Sequence, residues 1–596
     1  MDTKNAEIEE KYQWDLSLVL DSDKSFFEMI EKLQKDLQNI SDFEGTLNNR
    51  ESIINYFEKS RDFELKLSRV NLYAFLKYEK DSLNSENLKM VERVDNLCVK
   101  YSSLSSFVRP ELSKLSDEFL ISLKDDKSLE RYNRIFEDVL RNKPHTLSQD
   151  QEKLISEMGA FSDFSAVYDM LTDNELSFDA VIDSEGKENL LNHASYGAFI
   201  RSKDKAVRKQ AHQNLLKGFA KVNKTLSVNY INHLKKSDFY AKTYHYKNCF
   251  SMRLFNEEVE EKVYDALIES VHKHITSFYE FVKVKKELLK LQSFDIYDAY
   301  APLGNSDKFN LSYDGAYKVV LDALCVLGDE YVGVLKKAYN NRWIDVFYSE
   351  GKRSGAFSVS TETGNPFVLL NYKPNYNDIS TIAHEMGHSL HSYFSEKVQP
   401  HEKCNYEIFV AEIASTVNEI LLFKHLLKNE KDKETKIFLI ASFLENFYAT
   451  VFRQTMFSEF EYFAHNKIAN DEPLSFEELN NYYQSLLELY FGGDTNIHEY
   501  AKYEWSRISH FYRPFYVFKY ATGYISALAI VESIEKGGRS AVENYIKFLS
   551  GGCSKKPSEL LKVVGVDILD SNTFESAFSY YKSMIEELKN SGNIDE

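Results

Sequence analysis

Three residues with clear chemical potential stand within five positions of one another, in the run His384-Glu385-Met386-Gly387-His388, an H-E-x-x-H pattern. On a helix, positions i and i+4 lie about 40° apart and one turn along the axis, so both imidazoles can converge on one divalent cation. Glu385 projects about 100° away from His384, a poor direction for joining them as a ligand and a good one for hydrogen-bonding a water held on the ion. That is a general base's position. By composition the five letters arise by chance in roughly a few per cent of chains this long, so two ordinary histidines are the alternative that a third ligand has to displace.

A catalytic zinc takes three protein ligands and keeps a fourth position open. Beyond Pro400, the run YEIFVAEIASTVNEILLFKHLL reads as a second helix in which Glu412 interrupts an apolar face formed by Val410, Ile413 and Val417. A carboxylate buried there without a partner is costly. With the two helices antiparallel, the residues from His388 to the end of the first climb about 13 Å and the start of the second returns most of that distance. Glu412 then lies level with the histidines. His391 competes for the same role, but His384, His388 and His391 form a nearly linear row about 10 Å long, a poor match to three corners of a tetrahedron. Glu412 is the expected ligand and His391 a neighbour. Glu419, two turns beyond Glu412, can accept the free N–H of a ligating imidazole, or serve as a plain helix-surface carboxylate.

These residues need a scaffold. NDISTIAHEMGHSLHSYFSEKV predicts a helix capped at Asn377 or Asp378 and ending before Pro400. Just ahead of it, SGAFSVST, the turn-like ETGNP and FVLLNY predict a small hairpin or sheet, the strong β signal of the chain. FVLLNY, beside Gly355 and Ala356, reads either as an ordinary buried strand or as an edge strand that binds an extended peptide through its main chain. Near the end, HFYRPFYVFKYATGY places Tyr516, Tyr520 and Tyr524 at i, i+4 and i+8, with His510 and Tyr512 just before Pro514. Such an aromatic stripe is ordinarily core.

The rest of the text is amphipathic helix. A helical lobe is expected over 1–195 and a second helical series from 196 to 596, with no linker to mark the boundary. The chain has 596 residues, 43% of them apolar, and only 9 prolines and 22 glycines, too few for an all-β fold. Its 73 basic and 92 acidic residues leave a formal charge of −19, which opposes nucleic-acid backbones and anionic membranes. Cys98, Cys249, Cys325, Cys404 and Cys553 are odd in number and widely spaced. With an acidic, polar amino terminus, they predict a cytoplasmic protein without a disulfide framework. The most apolar window, Phe515 to Val531, contains Lys519 and reads as a buried helix, not a membrane span.

The strings HEMGHSLHSYFS and FVAEIASTVNE resemble the zinc-site signature of the thimet-oligopeptidase-like zinc metallopeptidases, above all the oligoendopeptidase F group. The likeness extends to KYQWDLSLVL, RSGAFSVST, NPFVLLNY and HFYRPFYVFKYATGY. It implies a mostly α, two-lobed helical ellipsoid with a deep substrate channel and a small β-sheet next to the zinc helix. It also implies one zinc ion per chain on His384, His388 and Glu412, with Glu385 as base. The expected activity is hydrolysis of internal bonds in short unstructured oligopeptides. In this family a His/Tyr cluster near the end supplies donors to the oxyanion, and His510, Tyr516 and Tyr520 match it best, with Tyr512 and Tyr524 as substrate contacts. An exopeptidase on the same site, or a peptide-binding scaffold without catalysis, are the alternatives.

Overall fold

The computed structural model describes residues 8–159, 163–361 and 364–593. Residues 1–7 of the amino terminus, and Glu362 and Thr363 of the expected ETGNP turn, lie outside the described residues. Among the described residues the chain is mostly α, with three small sheets. It divides into two compact units, each assembled from three segments. Unit 1 holds Met1–Thr146, Phe309–Leu422 and Ile530–Gly565; unit 2 holds Leu147–Lys308, Phe423–Ala529 and Val566–Glu596.

In unit 1, the amino-terminal helices Asp23–Asp36, Arg50–Lys80, Ser85–Leu104 and Asn133–Asn142 bury apolar stripes around Phe26, Leu33, Phe63, Val70, Leu97 and Phe136. Side-chain caps start the first three: Ser22, Asn49 and Asn84 each accept a first-turn backbone N–H. Phe367 and Leu369 join the same core from a distant segment. Their strand, Phe367–Leu369, is the middle of three, pairing in parallel with Ile344–Asp345 and antiparallel with Phe357–Val359. The opening segment docks beside it: the Trp14 indole donates to Val368 O at 2.8 Å, and Val346 N donates to Tyr12 O at 3.0 Å. A buried ion pair between Lys352 and Asp345 (2.6 Å) braces the turn that follows Ile344–Asp345.

This sheet decides between the two readings of FVLLNY in favour of a buried strand. FVLLNY supplies the central strand, paired on both sides and fully buried; the outer strand is Phe357–Val359, from AFSVS. The units also cut across the expected boundary at 195. Residues 147–195 pack within unit 2, while 309–422 share a core with the amino-terminal helices, because Phe367 and Leu369 complete that core.

Unit 2 is built on the long helices Lys205–Thr243 and Glu261–Leu288, with Lys433–Phe447, Arg453–Ala469, Phe476–Phe491 and Ser571–Gly592. Stacked rings fill it, Phe278 on Tyr448 and Phe447 on Tyr581, each pair with centroids 4.4 Å apart. Two buried ion pairs, Arg208–Asp298 (2.6 Å) and Arg453–Glu504 (2.5 Å), satisfy charges that would otherwise be costly inside. The apolar window near the end forms the first part of the helix Phe518–Leu549, and buried Lys519 pairs with Glu257. Among the described residues, no helix is long and apolar enough to cross a membrane.

Candidate metal centre

The helix Tyr376–Val398 carries the H-E-x-x-H run. Its cap is Asn375, two residues before the expected position: the Asn375 side chain accepts Asp378 N at 2.9 Å, while the Asp378 carboxylate accepts Lys373 N at 2.6 Å. The helix ends at Val398, before Pro400. His384 and His388 stand one turn apart with their Nε2 atoms 3.2 Å from each other. The helix Ile408–Asn429 brings Glu412 Oε2 to 3.6 Å from each Nε2.

Two residues set that approach. Gly387 faces the second helix where a Cβ would lie 2.5 Å from Ser415 Cα, so only glycine allows the backbones so close. Asn418, wholly buried, then ties the helices together by donating to Ala383 O at 3.0 Å and accepting the Tyr331 hydroxyl at 2.8 Å.

The donor set fits a zinc ion. A point equidistant from the two imidazole nitrogens and the carboxylate oxygen lies about 2 Å from each, within the range of zinc–nitrogen and zinc–oxygen bonds. Glu419 hydrogen-bonds His384 Nδ1, which places an imidazole proton there and leaves Nε2 as the atom facing the site, where a cation would take the place of its proton. Ser415 Oγ donates to Glu412 O at 2.9 Å and lies 3.3 Å from Glu412 Oε2.

The electrostatics favour a cation. Burial alone would lower the His384 pKa, but the hydrogen bond and charge of Glu419, with the charges of Glu385 and Glu412, push it up to about 9. Burial opposes ionising Glu412 as well; contact with His388 and the charges of both histidines outweigh it and hold the carboxyl below its usual range. Glu385 is only 7% exposed, and burial raises its pKa against the pull of the two histidines. Three carboxylates around two imidazoles leave negative charge for a divalent ion to balance.

His391 is not part of this set. Its ring stacks on Tyr406 at 3.6 Å and packs near Phe548, burial drives its pKa down to about 3, and Nδ1 makes no hydrogen bond. Its surroundings are those of a packing residue; of the two expected supporting residues, Glu419 is the one that contacts a candidate ligand.

The carboxy-terminal candidates lie in unit 2. His510, Tyr516 and Tyr520 do come together: their ring centroids are 5.3 to 6.0 Å apart, and Tyr520 Oη is 3.4 Å from His510 Nε2. All three are half-buried, and burial lowers the His510 pKa, which keeps the imidazole neutral. The helical stripe is not as expected, because the helix begins only at Phe518 and Tyr516 precedes it. Tyr524 is 4% exposed with its ring against Phe443 and Phe447, a core position that does not support a substrate contact. Tyr512 accepts from Asn229 Nδ2 at 2.9 Å and packs on Tyr168 and His233.

Beside the outer strand, Gly355 is exposed with φ +86°, and its carbonyl and that of Arg353 both accept from the Asn371 amide at 2.9 Å; Ala356 leads into the strand. Sequence reasoning missed Gly387, Asn418, and the serines Ser358 and Ser389. Asn418 carried the same signal as Glu412, a polar residue in an apolar helix face.

The model of Peptidase family M3 matches residues 198–580 and that of Oligopeptidase F matches 111–178. The chain is 33% identical over 590 residues to Oligopeptidase PepF of Bacillus subtilis, covering 98% of this chain and 88% of that one. It is 35% identical to the Oligoendopeptidase F homolog of Borreliella burgdorferi, with 98% of both chains covered. The structure of oligoendopeptidase-F from Enterococcus faecium superposes with a TM-score of 0.74 at 30% identity, over 96% of this chain and 100% of the other.

Proposed function

This chain belongs to peptidase family M3, and from that premise we propose that it is a zinc-dependent endopeptidase hydrolysing internal bonds of short unstructured oligopeptides. The observation that carries the reading is the triangle of His384 Nε2, His388 Nε2 and Glu412 Oε2, with buried Glu385 in the same helical turn. One zinc per chain would be held there; when bound, it lowers the pKa of a water toward about 7 and polarises a carbonyl. Glu385 takes the proton of the attacking water and returns it to the leaving amine, and its raised pKa suits both steps. Glu419 holds the His384 proton at Nδ1 and so keeps the ring oriented.

The outer strand Phe357–Val359, with Gly355 and Ala356, binds the peptide main chain by strand addition, which reads shape more than sequence. His510, Tyr516 and Tyr520 offer a neutral imidazole and two phenols, the donors that a tetrahedral oxyanion needs, and the family resemblance supports that assignment. A cytoplasmic location, read from the scattered cysteines, accompanies this proposal.

The test is mass spectrometry of products from a ten-residue peptide blocked at both ends. Wild type should cut internally, a chelator should abolish cutting, and Glu385→Gln should lower kcat by about 10²–10⁴ while retaining its metal. Equal turnover by Glu385→Gln would overturn the assignment of the base. Cleavage only of peptides with a free terminus would replace the endopeptidase by an exopeptidase.

A further inference from the structure

We propose that the hydroxyls of Ser358 and Ser389 form a latch that sets the position of a bound peptide relative to the metal centre. The proposal rests on the endopeptidase reading above and on three observations that reading does not use.

Ser389 directly follows His388 and is wholly buried. Its Oγ lies 2.9 Å from Glu385 O and 2.8 Å from Ser358 Oγ. A hydroxyl has one proton to give, and a carbonyl can only accept. The Ser389 proton therefore goes to Glu385 O, and Ser358 donates to Ser389 Oγ. The strand is thus bonded to the turn of helix that presents Glu385 and His388.

Ser358 is the middle residue of the outer strand. Its neighbours Phe357 and Val359 point to the opposite face, where they pack against the core of the amino-terminal helices. Two residues on, Ser360 Oγ donates to Glu396 Oε1 at 2.5 Å. Glu396 lies two turns beyond Ser389 on the same helix, and side chains lean toward a helix's amino end, so it reaches back to meet the strand. Two anchors along the strand resist sliding and rotation together.

The inner edge of the strand is occupied by the pairs Phe357 with Leu369, Ser358 with Val368 and Val359 with Phe367. An added peptide would take the outer edge, where successive residues advance by about 3.3 Å. The next scissile carbonyl is only that far away, and a misplacement of about 1 Å can cost 10²-fold in rate. Choice of bond therefore requires the strand to be held to the metal helix more tightly than main-chain pairing with its inner neighbour achieves. Ser358 and Ser389 are positioning residues in this sense.

The experiment compares wild type, Ser358→Ala, Ser389→Ala and Ser358→Thr on one blocked ten-residue peptide, with products mapped by mass spectrometry and metal content measured. Both alanine variants should keep their metal and a KM within about twofold of wild type, lose about 10- to 100-fold in kcat, and spread cleavage to adjacent bonds. Ser358→Thr retains the hydroxyl on a strand-favouring residue and should restore the single site. Failure of wild type to cut the peptide would count against the endopeptidase reading itself. Wild-type cutting together with unchanged kcat and a single cleavage site in Ser358→Ala overturns the latch, as does a rise in KM alone. Should Ser389→Ala misfold, Ser358→Ala on the outer strand still decides the matter.

Discussion

Replacing Gly387 with alanine asks whether the ligand helices are held at a spacing that only glycine permits. The new Cβ would lie 2.5 Å from Ser415 Cα, 2.6 Å from Ala414 O and 2.8 Å from Ala414 C. All three are backbone atoms, so no change of rotamer relieves the overlap. Carbon contacts are comfortable at about 3.5–4 Å, so the helix Ile408–Asn429 must retreat by roughly 1 Å. Glu412, one turn before Ser415, retreats with it, away from imidazole nitrogens now 3.6 Å distant. Metal–ligand distances tolerate only about 0.2 Å, so the displacement removes one ligand of three. Zinc affinity should fall by more than the 10–100-fold typical of losing an outer hydrogen-bond partner. The steric cost to stability, about 1–3 kcal/mol, is the ordinary cost of overpacking a core. Competition with a chromogenic chelator measures the affinity, and far-UV circular dichroism checks the fold. Gly333→Ala is the control, since a Cβ there meets nothing within 4 Å. Wild-type zinc affinity and wild-type turnover in Gly387→Ala would refute the reasoning.

Glu419→Ala removes the acceptor of the His384 Nδ1 proton and should weaken zinc binding by about 10–100-fold, read by the same chelator competition; an unchanged affinity would leave Glu419 a plain surface carboxylate. Asn418→Ala strands the buried Tyr331 hydroxyl, at a cost of about 1–3 kcal/mol, and removes the tie to Ala383 O, so thermal melts should show a clear drop in melting temperature. Glu461 governs a pH dependence. Burial lifts its carboxyl to about 8 against the Phe515 N–H and the charges of Arg253 and Lys519. The folded state thus binds this proton more tightly than the unfolded chain does, so the stability it contributes is complete below about pH 4 and declines as pH rises toward 8, by on the order of a few kcal/mol. Melts of wild type should lose ground across that window relative to Glu461→Gln, which cannot ionise; parallel curves would contradict the shift.

What could be read from the sequence is what a single helix decides. His384 and His388 share a face because of a spacing of four, and Glu412 announces itself as a carboxylate in an apolar stripe, as does Asn418, which went unread. Relations between elements were harder. The choice between the two readings of FVLLNY was made by Ile344–Asp345, two residues with no periodic signal, which pairs beside Phe367–Leu369 and takes the position that an edge strand would leave open. Tyr524 looked like a partner of Tyr520, but Phe443 and Phe447, about eighty residues earlier, claim its ring. Asn375 won the cap over Asn377 and Asp378 because Asp378 was needed to receive Lys373 N. The unit boundaries depend on Phe367 and Leu369 entering a core whose other members precede residue 140. Gly387 makes the point most directly. It stands inside the motif, at a position the motif leaves free, and the need for glycine there comes wholly from Ala414 and Ser415 on another helix. The types and spacing of the candidate ligands are thus local and legible, whereas the distance between their helices is set by Gly387 and Asn418, whose contacts exist only once the facing surfaces meet.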